Sequence, residues 1–485
     1  IFDGAEFLDE SLRFLMDVIA GKAIVERPVF GAEGVNPLFA KAKAFVDSRV
    51  HGAAPAPYRA LELIEGACTW DMERGFEEEN KALGDLIKSR QCKASIYSFD
   101  LVNRYAKKPK GAPEVKAPRA RKVGIIGAGL MASQLAQLFI YRLGVPVVMK
   151  DVKQEFVDKG LGYVRQEFQK MAEKGKMSEA RARYLAGLAI GTLDYKDFAD
   201  CDLVIEAVFE EMSVKRQVLA EVEAVVSPEC ILATNTSSLS VTEMAAGLKH
   251  PERVVGIHFF NPVAVLPLVE IIRAAKTSEA AVAAAFGFAK GLRKTAVLVK
   301  DAPAFLVNRL LTKMLVDCLE MVDEGASFQQ VDDALLALGL PMAPFELLAL
   351  VGPAIALHVN ETLNRAFGPE RFPISPGFGK MVEARIPVIY VPGSDRAKVI
   401  PEVEALWPEA GGREFHPEEV RERVLNNLAR EIDLILKEKV VASSRDVDLG
   451  MIMGAGWPFF MGGITMHLDM AGVTPKVLQK VFFSV

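Results

Sequence analysis

The sequence predicts an α/β domain with a parallel sheet, preceded by a helical segment and followed by helical domains. Three observations predict it. Between residues 123 and 260, short apolar runs at 123–126, 145–149, 203–208, 231–234 and 254–260 alternate with helical patterns, the order that builds βαβ units. From about Asp301 the periodicity turns almost wholly helical. Before residue 106, helical patterns cover 6–20, 38–50 and 58–86, separated by loops around Gly31, Gly34, Pro55 and Pro57.

The bulk properties agree with a folded chain of several domains. Its 485 residues are 51% hydrophobic and 25% charged, which excludes disorder as the main state and suggests two to four domains at roughly 100 to 200 residues each. The net charge of -5 and pI near 5.9 would repel nucleic acid unless a local basic patch intervened. Residues 107–122 hold seven basic side chains against Glu114, but also Pro109, Pro113 and Pro118. They have no aromatic residue to stack on bases, so 107–121 is read as an interdomain linker and no nucleic-acid partner is expected. The five cysteines, Cys68, Cys92, Cys201, Cys230 and Cys318, include no C-x-x-C pair, so neither a disulfide framework nor a metal site is expected. The first residues, from Ile1, lack the basic flank, apolar run and small-residue cleavage site of a signal peptide. A cytoplasmic location, and a piece of a longer protein, are the expectations. The most apolar stretch, 334–359, contains Glu346, Pro341, Pro344 and Pro353, which predicts buried, broken helices and no transmembrane segment.

The first run leads directly into Gly127-Ala128-Gly129-Leu130-Met131-Ala132, and then into a helix with Leu135, Leu138 and Phe139 on one face. This is a G-x-G-x-x-G/A fingerprint between strand and helix. Gly127 permits the tight turn, Gly129 lets the backbone approach a pyrophosphate, and the helix start at Leu130 and Met131 offers unpaired N–H groups to its charge. The second strand, continuing from the run at 145–149, ends at Asp151, 24 residues after Gly127. A carboxylate there accepts the ribose hydroxyls of NAD and repels the 2′-phosphate of NADP, so the domain is read as a Rossmann-type NAD-binding domain. Lys150 and Lys153 flank the acid, and Ala132 replaces the third glycine.

Oxidising an alcohol with NAD requires a base for the hydroxyl proton, and histidine titrates in the useful range. Of six histidines, His51, His250 and His416 lie in polar, loop-like contexts, while His358 and His467 lie in apolar helical surroundings. His258 instead ends an apolar strand and is followed by Phe259-Phe260-Asn261-Pro262, at the edge of the sheet where ligands bind. The run 231–234 delivers Asn235-Thr236-Ser237-Ser238 to the same edge. Capping of the next helix is the plainer role for that cluster, and both roles can hold together.

These motifs, continued by Leu268-Val269-Glu270 and Val307-Asn308-Arg309, resemble the 3-hydroxyacyl-CoA dehydrogenases from about Lys122 to the end of the chain. His258 stands 21 residues after Ser237, 12 before Glu270 and 50 before Asn308, intervals that match the family's. The resemblance implies His258 as the base, Glu270 as its orienting carboxylate, and Ser237 and Asn308 as hydrogen-bonders to the reacting oxygen. It places Glu210, Lys215 and Asn235 near the cofactor and Lys174 near coenzyme A. Ala304 and Ala343 stand where the family usually has glycine, which costs little where φ is negative and more where it is positive.

The wider resemblance is to the multifunctional α-subunit of bacterial fatty acid β-oxidation complexes. It implies a chain divided into 1–106, similar to the tail of a crotonase-type hydratase; the linker 107–121; a Rossmann domain over 122–300; and two copies of a helical C-terminal dehydrogenase domain over 301–400 and 401–485. The sequence carries a matching echo. Asn308-Arg309-Leu310-Leu311, Val331-Asp332 and Leu340-Pro341 return about 115 residues later as Arg423-Val424-Leu425-Asn426, Val447-Asp448 and Trp457-Pro458. The glycine-rich loop and paired glutamates of the hydratase front are not in this sequence, so hydratase activity is not expected of it. The implied reaction is NAD-dependent oxidation of (S)-3-hydroxyacyl-CoA to 3-oxoacyl-CoA, with a thiolase β-subunit or further copies of the chain as partners. The alternatives are a dehydrogenase of a small 3-hydroxy acid without CoA, or a non-catalytic NAD-binding or thiolase-scaffold subunit.

Overall fold

The computed structural model describes residues 6–24, 32–114 and 119–483. They form two compact units, one running to Leu86 without Val50–Ala54, the other from Ile87 onward together with that short segment.

The first unit contains helices Phe7–Ile19 and Pro55–Ala67 and all but the last residues of helices Ala32–Val50 and Met72–Lys88. The helix expected over 58–86 is therefore broken. The Asp71 carboxylate accepts the Arg74 N–H at 2.8 Å, a side-chain cap that starts a new helix. Pro55 and Pro57 lie in a first helical turn rather than a loop, where a missing N–H forfeits no helical bond. Gly34 lies inside a helix, and Gly31 falls outside the described residues.

The second unit is built on an eight-stranded sheet in the order β3-β2-β1-β4-β5-β6-β7-β8. The strands are β1 Val123–Ile126, β2 Val147–Lys150, β3 Ala189–Thr192, β4 Leu203–Glu206, β5 Ile231–Thr234, β6 Val254–Phe259, β7 Leu268–Arg273 and β8 Thr295–Lys300. β1 to β6 are mutually parallel. β7 runs antiparallel to β6 and parallel to β8. β1, β2, β4, β5 and β6 are buried along their whole length, as expected for parallel strands covered on both faces. The chain moves outward from β1 to β3, then returns to β4 and moves the other way. The carboxyl ends of β1 and β4 thus frame the crevice where such sheets bind ligands.

Helices fill most of the chain after β8, and the sequence echo has a structural counterpart. In helix Phe328–Leu336, Asp332 is fully buried and accepts the N–H of Phe345 at 3.1 Å, at the start of helix Pro344–Val351. In helix Ser444–Gly454, Asp448 is fully buried and accepts the N–H of Thr465 at 2.6 Å, at the start of helix Ile464–Met470. Each also receives a tyrosine hydroxyl, from Tyr390 at 2.6 Å and Tyr97 at 2.9 Å. Burial pushes both carboxyls up to about 7, against the pull of these donors.

Tyr97 lies on helix Arg90–Asn103, where Ser98 also donates to the Phe459 carbonyl at 2.7 Å. That helix is thus tied to the last helices of the chain, and the units divide at Leu86 and Ile87 rather than near residue 106. Of the expected linker, 115–118 fall outside the described residues, while Arg121 and Lys122 pair with Asp202 and Asp200 beside β4. The apolar stretch 334–359 is shared among helices Phe328–Leu336, Pro344–Val351 and Pro353–Phe367. No helix among the described residues is long and apolar enough to cross a membrane. Ala343 has φ -68° and is unstrained. Ala304 and its neighbour Phe305 both adopt left-handed backbone, φ 55° and 56°, just before helix Val307–Asp323.

Candidate active site

At the carboxyl end of β1, Gly127 has φ 109°, and a Cβ there would lie 2.6 Å from the Ala207 carbonyl oxygen. Only glycine fits. Gly129 caps helix Leu130–Leu143 without a side chain, and a Cβ on it would meet nothing within 4 Å. That open space, faced by the first N–H groups of a helix, suits a pyrophosphate. The Asp151 carboxylate closes the loop, accepting from the N–H groups of Ala128 at 2.8 Å and Val152 at 2.7 Å. Lys150 is almost fully buried, its ammonium 4.1 Å from the Tyr195 ring centroid. It is therefore not free to attract a 2′-phosphate. Leu130, Val152 and Phe209 are exposed at the carboxyl ends of β1, β2 and β4, apolar surfaces of the kind that flat rings occupy. The residues present fit a dinucleotide.

A second cluster shapes the turn after β5. Lys215, 1% exposed, bonds both oxygens of Glu206 at 3.0 and 2.9 Å and lies 3.3 Å from Glu210. Glu210 Oε1 accepts from the Thr236 hydroxyl at 2.6 Å and from the N–H groups of Ser237 and Ser238 at 2.7 and 3.1 Å. Burial opposes the charge of Glu210, but Lys215, the Thr236 hydroxyl and the Ser237 N–H together hold its carboxyl below the usual range. Lys215 is thus committed to Glu206 and Glu210 rather than presented to a cofactor. Asn235 ties adjacent strand ends together, its Oδ1 accepting the Phe259 N–H at 2.9 Å.

His258 and Glu270 are direct cross-strand partners on β6 and β7. His258 Nδ1 lies 2.7 Å from Glu270 Oε2. Glu270 lies in the middle of β7 and is fully buried. A bare carboxylate there would be costly. It is satisfied because Oε1 accepts the N–H groups of Leu306 at 3.2 Å and Val307 at 3.0 Å, at the positive end of helix Val307–Asp323. Asn308 in the same first turn donates from Nδ2 to the Ser237 carbonyl at 3.3 Å. Phe260 and Phe305 flank the imidazole, with ring centroids 4.5 and 5.8 Å from it. His258, Glu270, Ser237 and Asn308 are thereby brought together by contacts. Lys174 stands apart, exposed at the C-cap of helix Gln154–Glu173.

Three residues escaped the sequence reading. Glu206 ends an apolar strand, an acid with no packing reason to be there, and that anomaly was a usable signal. Gln134 on the Gly129-capped helix accepts the Val263 N–H at 2.7 Å and donates to Asn261 Oδ1 at 3.1 Å, anchoring the loop after β6; nothing in its context marks it. Phe305 faces His258 only because of the left-handed backbone before the helix. Of the other histidines, His467 is held down to about 4 by burial.

Family models match this chain over residues 122–302, described as the 3-hydroxyacyl-CoA dehydrogenase NAD binding domain, and over 305–386, described as the C-terminal domain of the same enzymes. The fatty acid oxidation complex subunit alpha of Shewanella amazonensis is 31% identical over 456 residues, covering 92% of this chain and 64% of that relative. The chain thus spans just under two thirds of that relative's length. Among solved structures, FadB2 of M. tuberculosis is 37% identical with a TM-score of 0.53, covering 55% of this chain and 95% of that one. The (S)-3-hydroxybutyryl-CoA dehydrogenase of Ralstonia eutropha is 34% identical with the same TM-score, covering 55% and 94%. The fold and site define an NAD-dependent oxidoreductase with a Rossmann-type domain. The chain belongs to the 3-hydroxyacyl-CoA dehydrogenase family, and NAD is its cofactor.

Proposed function

We propose that this chain oxidises (S)-3-hydroxyacyl-CoA to 3-oxoacyl-CoA, with His258 as the base. The contact between His258 Nδ1 and Glu270 carries the reading. With Nδ1 donating to a carboxylate that is itself held by two backbone N–H groups, Nε2 is left unprotonated to take the substrate's hydroxyl proton. Glu270 then stabilises the imidazolium so formed. Ser237 and Asn308 hydrogen-bond the oxygen as it becomes a carbonyl. NAD, when bound, supplies the hydride acceptor, and Gly127, Gly129, Leu130, Met131, Asp151 and Asn235 hold it, with Glu210 and Lys215 shaping the turn beside it. Lys174 attracts the phosphates of coenzyme A. The reaction belongs to fatty acid β-oxidation in the cytoplasm, with a thiolase β-subunit as partner, and is carried by a Rossmann domain over 122–300 and two helical domains over 301–400 and 401–485.

The test is growth of NADH absorbance with 3-hydroxybutyryl-CoA, repeated with the free 3-hydroxy acid. Turnover of the thioester well above that of the acid is expected. Equal turnover of both would favour a small-acid dehydrogenase, and none with either would leave an NAD-binding subunit.

A further inference from the structure

The proposed mechanism uses the start of helix Val307–Asp323 twice, for the N–H groups on Glu270 and for Asn308. Yet the helix has no side-chain cap of its own, and the chain enters it through two left-handed residues. What grips its first turn is Arg309, whose side chain is fully buried. Arg309 Nε donates to Glu431 Oε1 at 2.6 Å, while Nη1 and Nη2 donate to Glu438 at 2.7 and 3.1 Å. Arg371 adds Nε and Nη2 bonds to Glu431 at 2.8 and 2.7 Å. The Phe367 ring lies 4.4 Å from the Arg309 guanidinium and 4.3 Å from that of Arg371, favourable cation–π distances. Glu431 is on helix Pro417–Lys437 and Glu438 is its C-cap. The cluster therefore joins the catalytic helix to the last helical portion of the chain.

Buried ion pairs of this kind seldom add stability over apolar packing. What the forked, two-point bonds of guanidinium to carboxylate do fix is direction. Asn308 and Arg309 are neighbours, so their side chains leave the helix about 100° apart. Clamping one sets the azimuth of the other.

We propose that the cluster of Arg309, Glu431, Arg371 and Glu438 is a positioning device for the dehydrogenase reaction. It sets the rotation and depth of the helix that presents Asn308 to Ser237 and its first N–H groups to Glu270. The residues act through that helix and do not touch the substrate. This rests on the dehydrogenase reading above.

Three variants of the full chain test it. Glu431→Gln keeps the shape of the cluster while removing one charge, Arg309→Met removes the grip, and Tyr97→Phe weakens the Asp448 site instead. A misplacement of about 1 Å costs on the order of 10² in rate. Both cluster variants should therefore lose about 10- to 100-fold in kcat with 3-hydroxybutyryl-CoA, with the Kd for NAD held within about twofold. Deuterium at C3 of the substrate should slow them more than the parent. Tyr97→Phe should lower Tm and leave kcat unchanged. Should Arg309→Met fail to fold, Glu431→Gln decides. A folded Glu431→Gln protein with parental kcat would overturn the positioning role alone, as would an equal loss of kcat in Tyr97→Phe. A parent that forms no NADH from the thioester would overturn the dehydrogenase reading, and the positioning role with it.

Discussion

Glutamine at position 270 would keep the shape of the glutamate but carry one acceptor oxygen where the site requires two. Oε1 accepts from Leu306 and Val307, and Oε2 faces His258 Nδ1. If the amide oxygen stays on the helix N–H groups, the amide NH₂ points at Nδ1, which must then accept. The imidazole proton moves to Nε2, the atom proposed to receive the hydroxyl proton. If the amide flips, its NH₂ opposes two backbone donors in a place without solvent, at about 1 to 3 kcal/mol for each donor left unsatisfied. The first orientation is therefore favoured, and it holds the base in the wrong tautomer. A loss of about 10³- to 10⁴-fold in kcat is expected, by comparison with the aspartate-to-asparagine change in a serine-protease triad. That corresponds to about 4 to 5.5 kcal/mol of barrier. The assay is NADH formation at saturating substrate, with circular dichroism for the fold and fluorescence titration for NAD. A folded Glu270→Gln protein that binds NAD and turns over within about tenfold of the parent would refute the tautomer mechanism.

Other perturbations probe the remaining assignments. Asp151→Ala should weaken NAD and narrow its advantage over NADP, read from Kd values for both; an unchanged ratio would remove Asp151 from the ribose site. Lys174→Ala should raise KM for the CoA substrate, with a salt dependence weaker than the parent's and kcat nearly intact; a fall in kcat at constant KM would place Lys174 elsewhere. The Asp448 carboxyl, pushed up to about 7 from 3.8, binds its proton more tightly folded than unfolded. Its contribution is thus fully present below the unfolded value and lost as pH rises toward 7. Asp448→Asn should flatten the decline in unfolding free energy, read from urea titrations, between about pH 4 and about pH 7, by up to about 4 kcal/mol. His467, held down to about 4, slopes the other way in both proteins, so the difference between them isolates Asp448. Identical pH profiles would show that the Asp448 carboxyl titrates normally.

The sequence revealed what local pattern controls. The runs that became β1, β2, β4, β5 and β6 are apolar because both faces are covered, and the turn at Gly127 is written in its glycines. β3, β7 and β8 were missed for different reasons. β3 is an edge strand with Ile190 exposed, so it lacks a buried run. β7 carries Glu270 at its centre, a charge that interrupts the apolar run until His258 and two helix N–H groups are seen to meet it. β8 is followed by helices rather than another βα unit. The motifs that carry Ser237, His258, Glu270 and Asn308 were legible in the sequence, whereas the partners that hold these residues were not. Arg309 and Glu431 are 122 residues apart, and no local periodicity encodes their contact. The break at Asp71 was legible in principle, since an aspartate before a helical run is a capping signal.

The reversal of β7 against β6 makes the pairing of His258 with Glu270 a matter of parity. In a strand, successive side chains alternate between faces, so a slip of one residue would bring Val269 or Ile271 opposite His258 and turn Glu270 to the far side of the sheet. No partial dyad exists between the two registers. A chain with these two strands out of step would lack the pair altogether rather than hold it at a longer distance. The loop between the two strands, anchored by Gln134 through Asn261 and Val263, must deliver them in step.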